Sequence, residues 1–158
     1  MKTVMVVVLF LTFASTPAWA VLGEYANSVA SDQQVMHGEV RAIARQGYSV
    51  QEIKSGEQTV VREYVSPSGL VFGVAWHGPA MPNLQQLLGS YFAEFQQMRG
   101  VYDAGSSQTV RSNVRRRGPI VVRTDKLVVE SGGHMRSFHG RAYAPRLFPQ
   151  NITPEVVQ

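Results

Sequence analysis

The sequence predicts an α+β domain: a mainly antiparallel sheet of about five or six strands with one long amphipathic helix packed across a face. Three observations predict it. Residues 59–77 alternate β-branched and aromatic side chains on either side of a Ser66-Pro67-Ser68-Gly69 turn, as a hairpin requires. An apolar stripe at helical spacing follows directly, and alternating apolar segments resume beyond Pro119.

In the hairpin, Pro67 presets the first turn dihedral and Gly69 suits the left-handed third position of a three-residue loop. Counting outward from Ser66 and Leu70, Tyr64 is expected opposite Phe72, Arg62 opposite Val74 and Val60 opposite Trp76. The other side pairs Val65 with Val71 and Val61 with Ala75. Both faces are therefore largely apolar, which calls for cover on each. The helix supplies one cover: after an Asn83 N-cap, Leu84, Leu87, Leu88, Tyr91, Phe92 and Phe95 make a wide apolar stripe, with Arg99-Gly100 as its stop.

The chain opens with Lys2, an apolar run from Val4 to Ala14, a helix-breaking Pro17 and Ala18-Trp19-Ala20. These are the marks of a secretory signal peptide over residues 1–20, cleaved after Ala20. Periplasmic or secreted localisation follows, with no transmembrane segment after cleavage. With no cysteine, stability rests on a hydrophobic core, and a hydrophobic share of 44% is that of a globular protein. Residues 21–150 are read as a single domain.

Ser28 to His37 is expected as a short capped helix, Glu39 to Gln46 as a strand and Tyr48 to Lys54 as another. Residues 101–118 lack any period and carry Arg115-Arg116-Arg117, the composition of a flexible loop. Strands resume at Ile120 to Thr124 and Leu127 to Ser131. A Gly132-Gly133 turn would set Ser131 opposite His134, Val129 opposite Arg136 and Leu127 opposite Phe138. Residues 151–158 are expected to be a disordered tail.

Three ordered stretches, VVREYVSPSGLVFGVAWHGP, PNLQQLLGSYF and SGGHMRSFHGRAYAP, resemble a secreted bacterial family known as domain of unknown function 2844. The resemblance implies an exported, single-domain protein and brings no activity, cofactor or catalytic residue with it.

From the residues themselves no chemistry is forced. His37, His77, His134 and His139 show no metal-ligand spacing, and no nucleophile signature exists. Glu52, Glu63 and Asp125 could serve paired-carboxylate hydrolysis, although carboxylates in strand patterns commonly face water or arginine. No catalytic, cofactor or metal site is assigned. The charge is uneven: residues 21–100 carry five Lys plus Arg against seven acids, and residues 101–158 nine against four. In an envelope, that basic end meets lipid phosphates and acidic polymers before any nucleic acid. Arg115, Arg116, Arg117, His134, Arg136 and Arg141 are the candidate anion-binding residues, and Trp76 and His77 the candidate pocket rim. The reading favoured is a non-enzymatic binding or accessory protein that meets an anionic envelope component or a protein partner. A hydrolase-like enzyme on an envelope polymer and a protein-interaction module are the alternatives.

Overall fold

The computed structural model describes residues 21–26, 40–54, 58–105 and 119–158. The helix expected at 28–37, residues 1–20 and Arg115 to Arg117 lie outside the described residues. One sheet of seven strands organises the rest: β1 Val40–Arg45, β2 Tyr48–Lys54, β3 Val60–Val65, β4 Val71–Gly78, β5 Ile120–Arg123, β6 Val128–His134 and β7 Ser137–Tyr143. Their order is β1-β2-β3-β4-β7-β6-β5, and every neighbouring pair is antiparallel. The strand count thus exceeds the expected five or six, while the fold stays α+β.

The central turn forms as its residues dictate. Gly69 has φ +87°, its N–H donates to the Ser66 carbonyl, and the Ser66 hydroxyl accepts from the Leu70 N–H. The pairing beyond it differs from the sequence reading. A bulge between Tyr64 and Val65 leaves Val65 opposite Val71 but sets Tyr64 opposite Gly73, Arg62 opposite Ala75 and Val61 opposite Trp76. One extra residue in β4 suffices, because the period of a strand is two and each added residue exchanges the faces beyond it. Trp76 and Val74 therefore join Val61 and Val65 on one face, and Tyr64, Phe72 and Ala75 take the other.

The first face is covered by two helical segments, α1 Leu84–Leu88 and α2 Phe92–Gly105, joined by a 3₁₀ turn at Gly89–Tyr91. The expected stripe is the buried one: Leu87, Leu88 and Phe95 are in the core, with Leu84, Tyr91 and Phe92 packed against it. The helix is interrupted rather than continuous because Gly89 adopts φ 49°, ψ −121°, and a Cβ there would lie 2.0 Å from Val21. It also runs past the expected stop at Gly100 to Gly105, which shortens the segment read as a flexible loop.

Asn83 caps α1 through its side-chain oxygen, which accepts from the N–H groups of Gln85 and Gln86 at 3.1 and 3.3 Å. Asn83→Ala is expected to cost about 1 kcal/mol, and Asn83→Asp to recover most of it, as read by urea unfolding midpoints. Equal midpoints for the alanine variant and the parent would show that the cap contributes nothing.

The second face is covered by the end of the described chain, where the sequence predicts disorder. Two 3₁₀ turns, Pro145–Leu147 and Pro154–Val156, carry the backbone across the sheet. Phe148 packs on Phe72 and Tyr143, and Val157 is fully buried. These apolar residues share no helical or strand period, so periodicity does not reveal them.

At the other hairpin, β6 and β7 turn at Met135-Arg136 rather than at Gly132-Gly133. His134 faces Ser137, Ser131 faces Gly140 and Val129 faces Ala142. Arg136 takes the left-handed position at φ 67°. The two glycines lie within β6; a Cβ on Gly133 would sit 2.1 Å from the Ser137 carbonyl oxygen.

Candidate functional site

Strand alternation puts two rows of side chains on the tail-covered face. One row crosses the sheet as Arg41, Glu52, Arg62, Ala75, Arg141, Glu130 and Val121; the next includes His77, His139 and Gly132. Between them lies a cleft of about 570 Å³, floored by the backbone of Trp76, Gly140 and Ser131 and closed at one end by Val157 and Gln158. The small residues Ala75 and Gly132 make the hollow. Gly140 faces the opposite side of the sheet, where a Cβ would meet the Trp76 ring at 2.4 Å.

The charged wall is ordered by ion pairs. Arg62 Nε donates to Glu52 at 2.9 Å and Arg141 Nε to Glu130 at 2.8 Å, while Arg123 takes the other Glu130 oxygen at 2.5 Å. Each of the two central arginines also reaches the tail: Arg62 Nη1 donates to the Gln158 carbonyl and Arg141 Nη1 to the Val157 carbonyl, both at 3.3 Å. Tyr64 adds a two-way contact, its hydroxyl donating to the Gln158 carbonyl at 2.5 Å and accepting from the Gln158 N–H at 3.0 Å. Burial pushes the Tyr64 phenol up from its usual range.

On the far side of Gln158 a second hollow of about 510 Å³ is lined by Tyr48, Val50, Ile43 and Tyr64, and shares Arg62 and Gln158 with the first as its border. The tail thus runs as a strap between two cavities.

Of the candidate residues, His77 and Arg141 meet in the first cleft. Trp76 reaches it only through its backbone, because its side chain is 2% exposed in the core beneath the helices. His134 and Arg136 sit at the exposed β6–β7 tip, and His134 and Arg136 are not among the cleft residues. The three candidate carboxylates do not converge. Glu52 pairs with Arg62 on the tail face, Asp125 pairs with Arg146 at the β5–β6 turn, and Glu63 is buried on the helix face. Sequence reasoning missed Arg62, Glu130 and His139. Their grouping depends on β4 pairing with β7, a contact between segments some sixty residues apart that local pattern does not encode.

Glu63 is the other buried surprise. It is 0% exposed, flanked on its face by Val61 and Val65, and lies opposite Gln51 on β2 and Val74 on β4. Neither carboxyl oxygen has a hydrogen-bond partner, and the Gln51 Oε1 opposite is also unpartnered. Desolvation raises its pKa to about 8, so the buried group is held as the neutral acid at pH 7.

Among the described residues no cluster of three or more His, Asp or Glu side chains could hold a metal ion, and no helix is long and apolar enough to cross a membrane. Fold and cleft together define an α+β protein whose sheet is covered on both faces and bears a mixed-charge groove. The chain belongs to the family described as protein of unknown function DUF2844, whose model matches residues 18–157. No curated protein and no solved structure matches it.

Proposed function

We propose that this is an exported, non-enzymatic binding or accessory protein of the bacterial envelope, and that it holds an anionic envelope component in the cleft between the arginine row and the histidines. The observation that carries the reading is the cleft wall itself, where Arg62 and Arg141 flank the small Ala75 with guanidinium donors to spare. A guanidinium fork suits phosphate and carboxylate alike. Glu130 does not favour the hydrolase alternative, since both its oxygens are occupied by arginines. Export rests on the N-terminal segment, and N-terminal sequencing of the secreted form tests it, with Val21 as the expected first residue.

The binding test is retention of the protein on immobilised lipopolysaccharide or peptidoglycan. Retention is expected at low salt and should fade as ionic strength passes about 0.15 M, where the screening length is roughly 8 Å. Arg141→Gln should weaken it with the circular dichroism spectrum unchanged. No retention at low salt, or undiminished retention of the variant, overturns the reading.

A further inference from the structure

We infer that the end of the tail is an internal plug in a two-arginine anion seat, and that a phosphate or carboxylate group entering the seat displaces Gln158. The inference deepens the proposed function and rests on it. Arg62 and Arg141 stand on strands two apart, about 10 Å between backbones, with only Ala75 between them. Each guanidinium is fixed by a carboxylate through Nε and turns Nη1 to a main-chain oxygen of the tail. Two cationic forks held in place by acidic partners and directed at neighbouring oxygens of one short segment are a built anion site. What fills it is a pair of main-chain oxygens, those of Val157 and Gln158.

The arginines hold those oxygens loosely. Both contacts are 3.3 Å, at the long end for an N–H···O bond, and a phosphate or carboxylate free to settle against both forks would gain shorter, charge-assisted bonds. The strap is anchored elsewhere. The Val157 side chain is fully buried, and the absence of a Cβ on Gly73 makes its socket: an added Cβ would lie 2.8 Å from Val157 Cγ2. Gln158 is held by Tyr64 and Arg62 through its main chain, so it can swing about a seated Val157 without opening the core. Because Gln158 borders both cavities, its departure joins the 570 and 510 Å³ hollows into one trough.

The test is a titration of the isotopically labelled full chain at low salt with inorganic phosphate and, separately, with acetate, following chemical shifts and the exchange rate of the Gln158 amide. Saturable binding of one anion should shift residues around Ala75 and speed Gln158 exchange at least about tenfold, since the N–H loses its bond to Tyr64. Tyr64→Phe removes that anchor and should tighten binding about fivefold, the factor one hydrogen bond is worth. Preference for phosphate or for acetate identifies the ligand class. Saturable binding with Gln158 exchange unchanged overturns the plug and leaves the cleft reading intact. Absence of saturation by either anion overturns the seat, whatever the polymer columns retain.

Discussion

Glu63→Gln is expected to stabilise the protein by about 3 kcal/mol at pH 7 and about 4 kcal/mol at pH 8, and to be nearly neutral at pH 4.5. The carboxyl is fully buried without a partner, and its pKa rises from 4.5 in the unfolded chain to about 8 in the fold. Between those values the folded state keeps a proton that the unfolded state has released. The contribution of Glu63 is therefore complete below pH 4.5 and is lost as pH rises to about 8, at about 1.4 kcal/mol per pH unit. Glutamine keeps the shape and cannot ionise, so the variant lacks this slope. Urea unfolding at pH 5, 7 and 8 measures it. Parallel pH profiles for parent and variant would show that Glu63 has a partner in solution or reaches water.

The same residue marks where sequence reading stops. A glutamate between Val61 and Val65 fits a strand that alternates inward and outward only if it faces out. Alternation along β3 instead keeps it on the face of Val61 and Val65, and that face is buried. Local signals fared better where the physics is local: the Ser66-Pro67-Ser68-Gly69 turn, the Asn83 cap and the Leu87, Leu88, Phe95 stripe are legible within a few residues of themselves. The cleft is not. Arg62, Arg141 and His139 become neighbours through the β3–β4 and β4–β7 ladders, and a shift of one residue in either would separate them. The tail fails for another reason. Phe148, Ile152, Val156 and Val157 cover a face one residue at a time from an irregular backbone, and prolines at 145, 149 and 154 read as breakers although they shape the path.

That cover depends most on Phe72, and Phe72→Ala is expected to cost about 3 to 5 kcal/mol, a large part of the stability of a domain this size. Phe72 sits at the bulge, 0% exposed, where strand and tail meet. Its ring centroid lies 4.9 Å from that of Phe148 on the tail, 6.1 Å from Tyr48 on β2 and 6.2 Å from Tyr64 on β3. Removing it deletes the shared partner of three rings on three separate segments. The hole has little chance of collapsing, because the Phe72 carbonyl also accepts from the Ala144 N–H and fixes the local backbone. Met135→Ala is the comparison, since Met135 is 85% exposed at the β6–β7 tip and should be within about 0.5 kcal/mol of the parent. The tail should loosen with the core: amides of residues 150–158 are expected to exchange faster in Phe72→Ala than those of β6. A Phe72→Ala midpoint equal to that of Met135→Ala would mean that the tail does not pack on this face in solution, and the strap between the two cavities would go with it.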